Sequence, residues 1–341
     1  MASSPYHIAI VGIGGRTGSM FGFELKDKAK ILGIAKNKEK ELVNQKKIFI
    51  ERNHQSLVPL NVEIIKESDF SSFYLPEFIL LTTKNPVEEI VEYYYQKIKS
   101  EERLPALVLS QNGKRAIEEA RKALERVLGK REKEVEIIRV NLFNAIERKE
   151  KENKIIISYN LPIRISMGSL EKERQGERLS LIFKRAGMRV KKIPPEEIRN
   201  MEYSKLFLNL IGMSCASRNI SLREGFLQKE VFKEEISALK EYIKVVRAKK
   251  GNFLNLFYPI KIFAFLIEKL PFSLLFPLRK SILKIIEKGR SKKEKGNLDE
   301  IDYYNGEVVK LARECKISAP VNEKILKRAK AILKKVGCQS G

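Results

Sequence analysis

Histidine is almost missing from this chain. Of 341 residues only His7 and His54 are histidines, and both stand near the start. A dehydrogenase that relies on a histidine base in a C-terminal substrate domain is therefore a poor fit. Cysteine is nearly as scarce: Cys215, Cys315 and Cys338 are far apart and form no CxxC pair. That spacing indicates neither a disulfide framework nor a zinc site, and it suits a reducing cytoplasm. Nor is there an uninterrupted apolar run of roughly 20 residues, as a membrane span requires. The most apolar stretch, 253–286, is broken by Lys261, Glu268, Lys269, Pro271 and Pro277. The first residues lack a basic segment followed by an apolar one, which argues against a secretory signal.

Acid is the last shortage, with 43 Asp and Glu against 67 Lys and Arg for a net charge of +24. One reading is attraction to nucleic acid, anionic lipid or a phosphorylated ligand. The other is a Lys/Glu-rich solvated surface, because acids and bases interleave in runs such as 36–41 and 147–154. No basic module interleaved with aromatics is present, so no nucleic-acid partner is expected.

What is present is the balance of a folded protein, 43% hydrophobic and 32% charged, in a chain long enough for two domains. Ile8-Ala9-Ile10-Val11 reads as a buried strand that runs into Gly12-Ile13-Gly14-Gly15-Arg16-Thr17-Gly18, after which 19–26 can wind as a helix. Strand, glycine turn and helix together let the backbone approach a pyrophosphate at the positive end of a helix dipole. Gly12, Gly14, Gly15 and Gly18 are the cofactor-binding candidates. The third glycine of a GxGxxG pattern falls one place late, at Gly18, and a plain tight turn is the alternative.

The second strand, 31–35, ends in Lys36-Asn37-Lys38. An acid at this point would bind a ribose 2′-hydroxyl. Lysines there favour a 2′-phosphate and hence NADPH, unless they are ordinary surface lysines. Apolar runs at 78–83, 106–110 and 135–140 alternate with helical patterns at 87–98 and 114–128, which predicts a doubly wound parallel sheet. Lys84 and Gln111-Asn112-Gly113 follow two of these strands, where such sheets bind ligands, although Asn-Gly is also a common turn. After Gly187 the pattern changes. Pro194-Pro195-Glu196-Glu197 looks like a helix start, and nearly everything beyond reads as helix. The expected fold is α/β: a Rossmann-type doubly wound sheet over 1–189 that binds NADP, then an all-helical substrate domain over 190–341. In the latter, Lys205 and Asn209 are four apart and share a helix face among Leu206, Leu208 and Leu210.

These residues resemble the ketopantoate reductases, or 2-dehydropantoate 2-reductases, over almost the whole chain. The resemblance rests on the glycine turn continuing to Gly22, Lys84, Gln111-Asn112-Gly113 and Lys205-xxx-Asn209. Its specific part is Glu300-Ile301-Asp302-Tyr303-Tyr304-Asn305-Gly306 followed by Pro320-Val321-Asn322. It implies reduction of a 2-oxo acid by NADPH, 2-dehydropantoate to (R)-pantoate on the route to pantothenate and coenzyme A. It implies Lys205 as the proton donor, since a buried ammonium parts with its proton more readily. Asn209 would donate a hydrogen bond to substrate, and Glu300 would accept from a substrate hydroxyl or, alternatively, cap a helix. Asn112 and Lys84 would lie on the cofactor side. The family's substrate serine corresponds to Ser281 in one register and Ser291 in another. Members of the family often place another Asn where this chain has Met213, which leaves another 2-oxo acid or an imine as alternative substrates; a non-catalytic NADP-binding or nucleic-acid-binding protein on the same fold is the alternative from another class. The 253–286 segment is expected to be an inserted helical hairpin packed in the second domain, with a membrane-surface helix or a homodimer contact as alternatives.

Overall fold

The computed structural model describes residues 6–45, 47–151, 154–171, 174–287 and 298–337. The chain divides into two compact units. One is Met1–Gln111 with Ala116–Ile198, and the other is Asn112–Arg115 with Arg199–Gly341.

In chain order the strands of the first unit are β1 (Tyr6–Val11), β2 (Ile31–Ala35), β3 (Ile48–Arg52), β4 (Val58–Pro59), β5 (Glu63–Lys66), β6 (Pro76–Leu81), β7 (Ala106–Leu109), β8 (Ile137–Leu142), β9 (Ile146–Lys151), β10 (Lys154–Tyr159), β11 (Arg164–Ser169) and β12 (Arg189–Lys192). The helices among them are α1 (Arg16–Leu25), α2 (Asn37–Asn44), α3 (Glu88–Ile98), α4 (Arg115–Leu128) and α5 (Arg174–Arg185). The main sheet has the order β12-β11-β8-β7-β6-β1-β2-β5. From β8 to β5 every neighbouring pair is parallel; β11 joins β8 antiparallel.

The parallel strands are buried on both faces, so they read as unbroken apolar runs. Alternation along β1 shows the two sides. Ile8 and Ile10 join a core with Met20 and Phe21 of α1 and Phe183 of α5, whereas Ala9 and Val11 join one with Val91, Tyr94 and Tyr95 of α3 and Leu124 of α4. Helices on both faces make the sheet doubly wound, as the alternating pattern predicts.

A second sheet, β4-β3-β10-β9, was not foreseen. Its strands β3 and β10 send Ile48, Ile50, Ile155 and Ile157 into the same core as α1. Its edge strand β9 is the start of the mixed-sign run at 147–154, with Lys149 on Glu147 at 3.0 Å and Arg148 on Glu150 at 2.9 Å. Residues 148–151 of it are exposed, and their charges keep an edge strand from pairing further.

The second unit is helical: α6 (Ile198–Leu210), α7 (Met213–Ala216), α8 (Leu222–Leu227), α9 (Lys229–Ala248), α10 (Ile260–Lys269), α11 (Phe272–Glu287), α12 (Asn305–Glu314) and α13 (Pro320–Gly337). The long helix α9 packs against α7, α8, α10, α11, α12 and α13. It buries Val231, Phe232, Ile236, Leu239, Ile243 and Val246, a helical spacing that gives it a continuous apolar stripe. No helix among the described residues is long and apolar enough to cross a membrane.

Candidate functional site

In the first unit the turn after β1 is shaped by contacts that leave no room for a side chain. A Cβ on Gly18 would stand 2.2 Å from the Gly12 carbonyl oxygen and 2.8 Å from its carbon. The late glycine is therefore the one that lets α1 lie against the turn, a packing role that any side chain would abolish. Gly15 is the N-cap of α1 and brings no side chain to cap it, and the first turn holds no acid. Among the described residues no side chain caps the positive end of this helix, which suits an anion there. The turn is anchored by Gly12 N–H donating to Ile34 O at 3.0 Å and by Thr82 Oγ1 donating to Val11 O at 2.6 Å. A loop this close to the helix, with bare backbone and no acid, fits a dinucleotide pyrophosphate.

Lys36 is exposed just past β2 and is the N-cap of α2; the side chain of Lys38 lies outside the described residues. Lys84 is exposed after β6, ahead of a cis Asn85–Pro86 bond. Buried Arg139 of β8 donates to the carbonyl oxygens of Leu109, at 3.0 Å, and of Gln111, so a guanidinium holds the end of β7 in place.

In the second unit four side chains from three places in the sequence form one hydrogen-bonded group. Asn209 Nδ2 donates to Asn112 Oδ1 at 3.2 Å. Asn112 Nδ2 donates to Glu300 Oε2 at 2.9 Å and approaches the Tyr304 hydroxyl at 3.0 Å. Tyr304 in turn donates to Glu300 Oε2 at 2.8 Å. The Asn112 amide is thus fixed at both ends. Among the described residues, Asn209 Oδ1 and Glu300 Oε1 are left without a protein partner, one amide oxygen and one carboxylate oxygen for a ligand. Lys205 lies one turn before Asn209 on the same face of α6 and is half-buried.

Each member has a local reason for its place. Gly113 has a positive φ of 91°, and a Cβ there would meet Tyr303 at 3.3 Å, so the Asn112-Gly113 turn packs directly on the 298–304 segment. Arg115 stacks 5.1 Å from the Tyr303 ring centre and secures the same turn. Helix α6 is held by Tyr242 of α9, whose hydroxyl donates to Tyr203 O at 2.9 Å, and by Leu254 N–H donating to Ser204 Oγ at 2.7 Å.

The paired C-terminal motifs have a structural explanation. Asn305 Nδ2 donates to Asn322 Oδ1 at 2.9 Å, and Asn322 Nδ2 donates to Ala238 O at 3.0 Å. Glu241 of α9 accepts from the backbone N–H groups of Val321 at 2.9 Å and Asn322 at 3.0 Å, so it caps α13. The two asparagines lock α12, α13 and α9 together, and Tyr304 and Glu300 stand just before this lock.

Tyr304 was missed as a site residue, although it stands inside the motif that singled out Glu300. The structure does not bring Ser281 into the group: it is exposed on α11, which packs on α8 and α9. Ser291 lies outside the described residues. Helix α6 ends at Leu210, and the chain turns at Gly212 before α7 begins at Met213. Met213 is therefore not a continuation of the Lys205–Asn209 face; it is buried at the start of α7, where Glu235 accepts from the N–H of Gly212 at 2.6 Å and of Ser214 at 3.1 Å.

A second cluster braces the same unit. Glu234 accepts from Ser214 Oγ at 2.6 Å, from Arg328 at 2.6 Å and from Arg218. Burial alone would raise its carboxyl, but hydrogen bonds from Arg218, Arg328 and Ser214 outweigh that and lower it from 4.5 to about 2.

Comparison with known proteins places this arrangement. Residues 197–333 match the family described as ketopantoate reductase PanE/ApbA, C terminal. No curated protein matches the chain by sequence. Among solved structures, a PanE/ApbA family ketopantoate reductase from Ralstonia eutropha JMP134 superposes with a TM-score of 0.71 at 16% identity, covering 96% of this chain and 99% of its own. The 2-dehydropantoate 2-reductase of Methylococcus capsulatus gives 0.64 at 17% identity, covering 98% of each. A D-mandelate dehydrogenase in a ternary structure with NADH and anilino(oxo)acetate gives 0.68 at 18%, covering 95% of this chain and 97% of its own. At these identities the likeness is one of fold, and it runs the length of both chains. Residues 197–333 thus match the C-terminal domain of the ketopantoate reductase family, and the chain as a whole shares the fold of those solved structures.

Proposed function

We propose that the chain is an NADPH-dependent reductase of a 2-oxo acid, with 2-dehydropantoate as its substrate and (R)-pantoate as its product, working in the cytoplasm. The observation that carries this reading is the Asn209–Asn112–Glu300–Tyr304 group beside Lys205 on α6. When bound, the reduced nicotinamide supplies the hydride. The residues of this chain do the rest. In the first unit Gly12, Gly14, Gly15 and Gly18 cradle the pyrophosphate, Lys36 faces the 2′-phosphate, and Lys84 lies on the cofactor side. In the second unit Lys205 gives the proton that the developing alkoxide needs. Asn209 orients the substrate, and Glu300 accepts from a substrate hydroxyl through Oε1, because Oε2 is already occupied by Asn112 and Tyr304.

A second reading, a different 2-oxo acid, is favoured by one feature. Helix α6 stops at Leu210, so no third amide extends the Lys205–Asn209 face. The D-mandelate dehydrogenase of the same fold was solved with anilino(oxo)acetate, an aromatic 2-oxo acid.

The test is cofactor oxidation across a panel of aliphatic, hydroxylated and aromatic 2-oxo acids with NADPH and NADH. The expected result is a kcat/KM for 2-dehydropantoate about tenfold or more above the others, a margin of about 1.4 kcal/mol, with NADPH preferred. Preference for an aromatic acid would select the second reading. No oxidation with any 2-oxo acid would overturn both.

A further inference from the structure

Helices α10 and α11 present apolar side chains to solvent where a soluble domain would place polar ones. Helix α10 buries Ile260, Ala264 and Ile267 and packs on α9, yet leaves Ile262 at 55% and Phe265 at 56% exposed. Helix α11 buries Leu275 and Leu283, yet leaves Leu274 at 56% and Leu278 at 46% exposed. On each helix the exposed pair is three or four residues apart, so it forms a stripe on one face. Leu227 at the end of α8, which packs on α11, is exposed as well. Scattered single exposures are ordinary, but half of the large exposed apolar side chains of the described residues fall on these three helices.

The stripes are flanked by cations. Lys261, Lys269, Lys280 and Lys284 are exposed, and Arg279 lies 3.9 Å from the centre of the Phe276 ring. The acids of the two helices are only Glu268 and Glu287, and Glu268 is paired with Arg247 at 3.5 Å. An apolar face rimmed by bases is complementary to one kind of surface. A second copy of the chain is a poorer occupant, since it would bring the same excess of lysine over acid to the contact.

We propose that α10 and α11 dock the protein on an anionic phospholipid surface, with Ile262, Phe265, Leu274 and Leu278 entering the headgroup boundary and the lysines contacting lipid phosphates. Lysine stems are long enough to let their charges reach the headgroups while the apolar stripes sit deeper. The attachment is peripheral, because neither helix can span a bilayer. It stands apart from the reductase reading, and its test needs no turnover.

The experiment sediments the purified full chain with phosphatidylcholine vesicles that carry about 30% phosphatidylserine, and with vesicles of phosphatidylcholine alone, at about 0.1 M salt. The expected result is binding to the anionic vesicles only, weakened about tenfold or more when salt is raised to about 0.5 M. The double variant F265S/L278S should lose about tenfold or more of that binding, and K280E/K284E a similar amount. Both pairs are solvent-facing, so unchanged thermal unfolding shows that the fold survives. No binding to anionic vesicles, equal binding to neutral ones, or binding indifferent to F265S/L278S would overturn the proposal. So would a concentration-dependent dimer in solution that F265S/L278S abolishes, because the stripes would then be covered by a second copy.

Discussion

The two candidate sites of this protein are specified in opposite ways. The turn after β1 is defined by side chains that are missing: Gly18 is required because a Cβ would sit 2.2 Å from a backbone oxygen, and the recognition proposed for it would fall to backbone N–H groups. The group in the second unit is defined by side chains that must be present, drawn from residues 112, 209, 300 and 304 and joined by hydrogen bonds of 2.8–3.2 Å. A backbone site can recur in any chain that spares it a few glycines, so it says little about which reaction is run. A side-chain site is particular to its residues and carries the specificity of both motif and chemistry.

If that contrast is right, damage to the two regions should read out differently. Gly18→Ala forces α1 away from the turn and should lower stability by about 3 kcal/mol, measured by urea denaturation, with cofactor affinity falling alongside. Glu234→Gln should cost about 2 kcal/mol, because Arg218 and Arg328 lose their charged acceptor, yet leave KM unchanged, since Glu234 bonds Ser214, Arg218 and Arg328 and not Asn112 or Glu300. The sign with pH follows from the lowered carboxyl. Its stabilisation is fully present above about 4.5 and is lost as pH falls toward about 2, so the native chain and Glu234→Gln should converge in stability across that interval. Tyr304→Phe removes one hydrogen bond from Glu300 and should cost about 1 kcal/mol, a roughly fivefold fall in kcat/KM with unfolding nearly unmoved. A Tyr304→Phe protein that unfolds early but turns over normally would erase the distinction between the two regions.

How much of this was legible in the sequence also differs by region. The strands at 31–35 and 106–109 and the helices at 88–98 and 115–128 were readable to within a residue or two, because strands buried on both faces form unbroken apolar runs. The small sheet was not. Its strands β9 and β10 lie within or beside a lysine- and glutamate-rich run, and only Ile155, Ile157 and Tyr159 of β10 join the core, with Ile146 of β9 packed against it. In the second unit, Lys205 and Asn209 could be placed on one helix face from their spacing alone. That Asn112 meets Asn209 across 97 residues, and that Tyr304 closes the group, depends on tertiary packing that no local pattern encodes. The stop at Leu210 was hidden because Ile211 and Met213 prolong an apolar run on either side of Gly212, the residue at which the helix breaks.

The proposed function assigns the cofactor to the backbone of the glycine turn and the proton to Lys205. The most direct measurement compares the native chain with Lys205→Ala, using calorimetry for the NADPH Kd and single-turnover oxidation of bound NADPH by 2-dehydropantoate for the chemistry. The account predicts an unchanged Kd and a rate lowered by about 10²–10⁴ in the variant. A variant that oxidises NADPH at the native rate, or one that loses turnover only because it no longer binds NADPH, would contradict it.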